Sequence, residues 1–198
     1  MMISTKRRYM IGIIGVVMLG IFSGCGKEEN VKKQQAGKAT AAATIKEVSL
    51  PEESYGRIAD GVYTATGGAL QMTVPENWSV SKENATVLIA GEEGKTKDCV
   101  SVQYVQKDKN FSNYKKKDFE DYFNSIFDNC NVRKFSHTTV AGLPAIYIEY
   151  VCSKDDSDVV GYEYMVDGNY TYTISFTDVS GELKKEVDSV VESVVFCK

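Results

Sequence analysis

The chain has 198 residues, with 23 basic and 27 acidic side chains and a formal net charge of −4. That balance argues against a phosphate-backbone binder, which needs a strongly basic face, so no nucleic-acid partner is expected. The length suits one folded domain with a tail.

In the N-terminal stretch, Lys6-Arg7-Arg8 precedes the apolar run Tyr9–Phe22, and Ser23-Gly24-Cys25-Gly26 follows. A basic start, an apolar core and small residues before a cleavage point are the marks of a secretory signal. The run is shorter than the roughly 20 apolar residues a membrane-spanning helix needs. Small residues and a cysteine together at its end resemble the bacterial lipoproteins, whose signal closes in a lipobox. Ser23 and Gly24 match that box, and Phe22 stands where leucine is usual. The resemblance implies a signal peptide over residues 1–24 and lipidation of Cys25, palmitate included. It places the protein on the extracytoplasmic face of a bacterial cell membrane. Losing Lys6, Arg7 and Arg8 leaves the remainder more acidic, so the lipid rather than charge must hold the membrane.

Residues 25–59 read as a flexible tether. Lys27 to Ala43 is almost free of large apolar side chains and cannot bury enough surface to order itself. As a coil the whole tether bridges about 30 Å on average, enough to lift a domain off the lipid.

The folded domain is expected over residues 60–198. Strands are predicted at 62–66 and 70–74, joined by a two-residue hairpin at Gly67-Gly68 and stopped by Pro75. Trp78, the lone tryptophan, reads as a core plug with its N–H bonded locally. Further strands are predicted at 86–90 and 99–106. Asn110, Ser112 and Asn113 then offer caps for a helix over 114–128. Phe119, Tyr122, Phe123, Ile126 and Phe127 recur along it at helical spacing as one aromatic face.

Strands follow at 132–140 and 143–152 about an Ala141-Gly142 turn. An acidic loop, 154–158, leads to strands 159–166 and 170–177 about the Asp167-Gly168-Asn169 hairpin. In the last strand Tyr170, Tyr172, Ile174 and Phe176 alternate with Thr171, Thr173, Ser175 and Thr177. A closing helix over 181–195, capped by Ser180, carries Leu183, Val187, Val190, Val191 and Val194. About eight strands joined mostly by hairpins and two helices give an α+β fold, mainly antiparallel sheet with helices packed on it.

The order of these parts resembles the PsbP/Mog1-like α+β family. The carriers are Met72-Thr73-Val74-Pro75-Glu76-Asn77-Trp78, the helix around Asp118-Phe119 and Thr139-Val140-Ala141-Gly142-Leu143-Pro144-Ala145. Gly161-Tyr162, Tyr170-Thr171-Tyr172 and a helix ending at Ser193-Val194 complete them. The resemblance covers about residues 60–197. It implies a central antiparallel sheet with helices against it and supplies no catalytic motif, because such folds serve as photosystem subunits, GTPase-binding proteins and anchored lipoproteins.

Four cysteines follow Cys25: Cys99, Cys130, Cys152 and Cys197. In an exported protein they permit two disulfides in three connectivities, or stand as free buried thiols. Without a C-x-x-C pair they make a poor metal or redox site, and no metal or cofactor is expected.

His137, the single histidine, reads as an exposed strand residue. Asp155-Asp156-Ser157-Asp158 lacks the spacing of a calcium loop and reads as a hairpin tip. Glu149 and Glu163 read as charges on an open sheet face. Ser101, Gln103, Thr171, Thr173 and Ser175 suggest a polar face open to solvent, suited to an envelope protein or glycan partner. The expected function is a non-enzymatic, lipid-anchored binding or scaffolding module. The rival is an envelope hydrolase, for which Glu149, Glu163 and His137 would have to ring one pocket.

Overall fold

The structure is a computed structural model and describes residues 56–82, 86–92, 94–108, 110–127, 129–154 and 157–197. The signal, Cys25 and nearly all of the tether lie outside the described residues, as do Asp155 and Asp156. Among the described residues no helix is long and apolar enough to cross a membrane.

Among the described residues two antiparallel sheets and two α-helices make the α+β architecture expected from the sequence. In the small sheet β1 (Arg57–Ala59), β2 (Val62–Thr64) and β3 (Leu70–Thr73) lie side by side, and β11 (Val195–Phe196) adds to β3. The large sheet contains β4 (Ser79–Val80), β5 (Val87–Ile89), β6 (Cys99–Gln106), β7 (Asn129–Val140), β8 (Leu143–Lys154), β9 (Ser157–Asp167) and β10 (Tyr170–Asp178). Its order is β4-β5-β6-β10-β9-β8-β7, so β7 to β10 form a meander whose last strand closes onto β6. The helices are α1 (Lys116–Phe123) and α2 (Lys184–Glu192).

The large sheet is covered on both faces. Val100, Val102, Tyr162, Val166, Tyr172, Ile174 and Phe176 point to one core, shared with α2 and the small sheet. Ile146, Ile148, Tyr150 and Met165 point to the other, beneath Phe119, Tyr122 and Phe123 of α1. The pleat sends alternate side chains to opposite faces, so β10 is buried along both of its stripes.

Several local expectations are corrected. Gly67 and Gly68 lie in a 3-10 turn, Thr66–Gly68, inside a longer β2–β3 connection in which Ala65 N–H bonds the Leu70 carbonyl at 2.9 Å. The Trp78 indole N–H does not bond locally. It donates to Glu186 Oε2 on α2 at 2.9 Å, tying the two ends of the domain together.

Helix α1 begins after Lys115, whose N–H bonds the Asp118 carboxylate at 2.9 Å, so Asn110, Ser112 and Asn113 do not cap it. It also stops early, because Asn124 turns its side chain onto the Cys130 backbone, and Ile126 is left 43% exposed. The α2 entry is held by Asp178, which accepts from the N–H groups of Gly181 and Lys184, while Ser180 bonds Asp98. Chain expected to continue that helix becomes β11, since the edge of β3 offers Val195 and Phe196 a ladder.

Candidate functional site

The structure disperses most of the residues singled out in the sequence. Cys130 and Cys152 sit opposite each other in the β7–β8 register and form a disulfide. Cys99 and Cys197 are free. Cys99 bonds Thr177 on the α1 side of the large sheet, and its burial pushes the thiol up to about 11, leaving it inert. Cys197 follows β11 on the other side, its N–H bonded to the Ala69 carbonyl at 3.0 Å.

The polar face expected to meet solvent does not. Ser101, Thr171, Thr173 and Ser175 are all buried, and Gln103 is half-buried. The physical reason is α1 and the loop before it: Asp108 N–H bonds Thr171 Oγ1 at 2.9 Å, and the α1 aromatics roof the rest. Glu149, Glu163 and His137 do not share a pocket either. Glu149 and Glu163 point to opposite sheet faces, and His137 stands exposed on the edge strand β7, its ring 5.4 Å from Phe135. On the same strand a β-bulge falls between Val132 and Lys134.

That bulge helps build an open, polar groove on the α2 side of the large sheet. The groove measures about 220 Å³ and is lined by Lys134, Ser136, Thr138, Tyr147, Tyr164, Lys184 and Asp188. Strand β7 forms the sheet edge, and there Lys134, Ser136 and Thr138 remain exposed or half-buried beside the ends of α2 side chains. Lys184 and Asp188 lie four apart on α2 and therefore share one face of it.

Two ammonium groups meet at Tyr147. Lys134 Nζ lies 5.2 Å from its ring centroid and Lys184 Nζ lies 5.5 Å from it. Lys184 also sits 4.3 Å over the Tyr162 ring and donates to the Tyr147 hydroxyl at 3.2 Å. That hydroxyl donates in turn to Glu149 Oε2 at 3.1 Å. Burial and the Glu149 charge hold the Tyr147 phenol neutral far above its ordinary range. The floor thus offers two cations and the hydroxyls of Ser136 and Thr138, with the phenols of Tyr147 and Tyr164 beside them and Asp188 as its one carboxylate. No histidine or cysteine lines it, so it sets no imidazole or thiol beside Ser136 and Thr138.

A second polar assembly lies inside, under α1. Glu163 is wholly buried in mid-β9. Its Oε2 accepts the Ser175 hydroxyl at 3.1 Å. Its Oε1 has no partner, nor do the hydroxyls of Ser101, Thr173 and Tyr122. Burial pushes the carboxyl up to about 7, with the Ser175 bond pulling the other way.

The groove was not singled out in the sequence. Lys134, Ser136 and Thr138 carry a period-two signal along β7, but their meeting with Lys184 is tertiary. Glu163, Ser101, Thr173 and Ser175 were singled out, but as groups on open sheet surface and not as one buried cluster.

No protein-family model matches the sequence, and no curated protein matches it. Among solved structures the chain is similar to a protein of Bacteroides thetaiotaomicron VPI-5482, with TM-score 0.51 and 11% identity over 70% of this chain. It spans about half of that protein, 48%. It is also similar to LpqN, described as involved in cell envelope biogenesis of Mycobacterium tuberculosis, at TM-score 0.47 and 11% identity over 65% of this chain and 83% of LpqN. The cyanobacterial PsbP of Synechocystis sp. PCC 6803 follows at TM-score 0.46 and 11% identity, over 78% of this chain and 98% of that one. At such identities the Bacteroides likeness concerns the fold alone, and no statement about function rests on the other two.

Proposed function

We propose that the chain is a lipid-anchored protein of the bacterial cell envelope, held through Cys25, whose PsbP/Mog1-like domain binds an acidic glycan along the Lys134–Lys184 groove. The observation that carries the binding reading is the pair of ammonium groups meeting at Tyr147 in a chain of net negative charge. Two nearby acids have local work: Glu182, just before α2, pairs with Lys185, and Glu186 on α2 takes the Trp78 indole.

Shape supports the same reading. An open polar groove suits a polymer segment lying across it, whereas small-molecule sites are deeper, more apolar and more enclosed. Carboxylate or phosphate groups would meet the lysines, and sugar hydroxyls would meet Ser136, Thr138 and Asp188. The edge position of β7 keeps the groove accessible, while its lysine also discourages strand-to-strand pairing with other chains.

Anchorage has its own test. Cells fed a labelled fatty acid should tag the wild-type protein and leave Cys25→Ala unlabelled and released from the membrane fraction. A Cys25→Ala protein that still takes up label contradicts the anchor without touching the groove.

A further inference from the structure

We infer that Glu163 is a proton-operated seat for α1: with its carboxyl protonated the helix stays packed on the sheet, and loss of that proton loosens the helix and uncovers its aromatic face.

The geometry sets this up. Ser101, Ser175, Glu163 and Ile148 form one row across β6, β10, β9 and β8. The row lies under α1, which offers Tyr122 to it. Glu163 is 0% exposed, one of its carboxyl oxygens is unpartnered, and the hydroxyls of Ser101, Thr173 and Tyr122 within the same covered layer are unpartnered too. A protonated carboxyl can donate to such a hydroxyl. An ionised one can only accept; hydroxyls can donate to it, but neutral donors leave its buried charge uncompensated, and relief then takes water or a cation.

No cation faces it among the described residues. From α1 the titratable group is Tyr122, from β8 Tyr150 and from β6 Cys99, and burial pushes all three upward so that they stay neutral. Strand β10 presents only the hydroxyls of Ser175 and Thr173. From β7 comes His137, exposed, beyond the β8 row and not adjacent. The α1 lysines Lys116 and Lys117 pair with Glu120 and Asp121 at the helix surface. Solvation of the ionised carboxylate must therefore come from water admitted under the helix.

The helix is a weak lid. Eight residues cannot sustain a helix in water alone, so α1 depends on its seat, where Phe119 meets Phe135 at 5.7 Å and Phe123 meets Tyr150 at 4.2 Å. The packed state keeps its proton up to about 7, against an ordinary value of 4.5. The folded value is raised, so the packing carries its full stability below about pH 4.5 and loses it as pH climbs through 7. Opening gains at most tenfold per pH unit over that window, on the order of 300-fold in all.

Hydrogen–deuterium exchange of the full-length protein in detergent tests this. After correction for intrinsic exchange, the peptide holding residues 116–123 should open on the order of 100-fold more often at pH 8 than at pH 5. Glu163→Gln, which carries a neutral group of the same shape, should remove that dependence. Parallel pH profiles for wild type and Glu163→Gln overturn the inference. A carbon-13 titration of the Glu163 carboxyl in the wild-type protein needs no variant: a midpoint above 6 supports the seat, and an ordinary midpoint near 4.5 overturns it.

Discussion

Gly161→Ala should cost the domain about 1–2 kcal/mol, because the Tyr150 ring occupies the space an alanine methyl would take. Gly161 and Tyr150 are register partners across β9 and β8. A methyl group built on Gly161 falls 2.1 Å from Tyr150 Cζ, 2.4 Å from Cε2 and 2.5 Å from the hydroxyl oxygen. Ordinary contact between carbons is about 3.5–4.0 Å, so the ring would have to retreat by roughly 1.5 Å.

It has little room to do so. Tyr150 is 1% exposed, and its far side meets Phe123 of α1 at 4.2 Å between centroids. Overpacking of a closed core costs typically about 1–3 kcal/mol, and the displaced ring would also push on the helix. Against this, alanine removes unfolded-chain freedom worth about 0.4–1 kcal/mol. The net loss should lower Tm by on the order of 10 °C for a domain of this size. Urea unfolding followed through Trp78, the single tryptophan, reads the change. In a Tyr150→Ala background the same substitution should be neutral or mildly stabilising, since the obstacle is gone. A change within about 0.5 kcal/mol in the wild-type background, or an equal loss in both backgrounds, would refute the reasoning.

The Cys130–Cys152 disulfide closes a loop of sequence separation 22, and on the chain-entropy account its removal by Cys130→Ala/Cys152→Ala should cost about 3 kcal/mol in the same urea assay. Reducing agent should have the same effect on the wild type and none on the double variant. The raised Glu163 carboxyl makes overall stability fall as pH rises from 4.5 to 7. Relative to Glu163→Gln, the wild type should lose about 3 kcal/mol across that window, measured by denaturant titrations at matched pH.

Turn chemistry made much of the fold legible. Ala141-Gly142 joins β7 to β8 with positive φ at both residues, 49° and 79°, and Gly168-Asn169 joins β9 to β10 with no longer loop. Such signals are local. The alternation in β10 was equally clear, yet it could not say which stripe was roofed. Thr173 and Ser175 are polar, and they are buried because α1 lies over them, a fact that belongs to the third layer and not to the strand.

Non-local partners explain the remaining differences. Ile126 keeps helical spacing but lies past the point where Asn124 turns to Cys130. Val195 and Phe196 form a strand only because β3 has a free edge beside them. Trp78 reaches Glu186 across 108 positions. The groove joins Lys134 to Lys184 through a bulge and a helix–sheet contact, neither of which leaves a mark in the spacing of residues. Glu163 was visible as an acid within a strand, but its burial depends on the same roof that hides Thr173.

Calorimetric titration of the full-length protein in detergent with polygalacturonate, a carboxylated glycan, tests the central claim most directly, with neutral dextran as the control. Polygalacturonate should bind, dextran should not, and added salt should weaken the binding. The Lys134→Glu/Lys184→Gln double variant should lose at least about tenfold in affinity, equivalent to roughly 1.4 kcal/mol. Failure of polygalacturonate to bind, or binding that survives the double variant unchanged, would contradict the groove as the site of an acidic glycan.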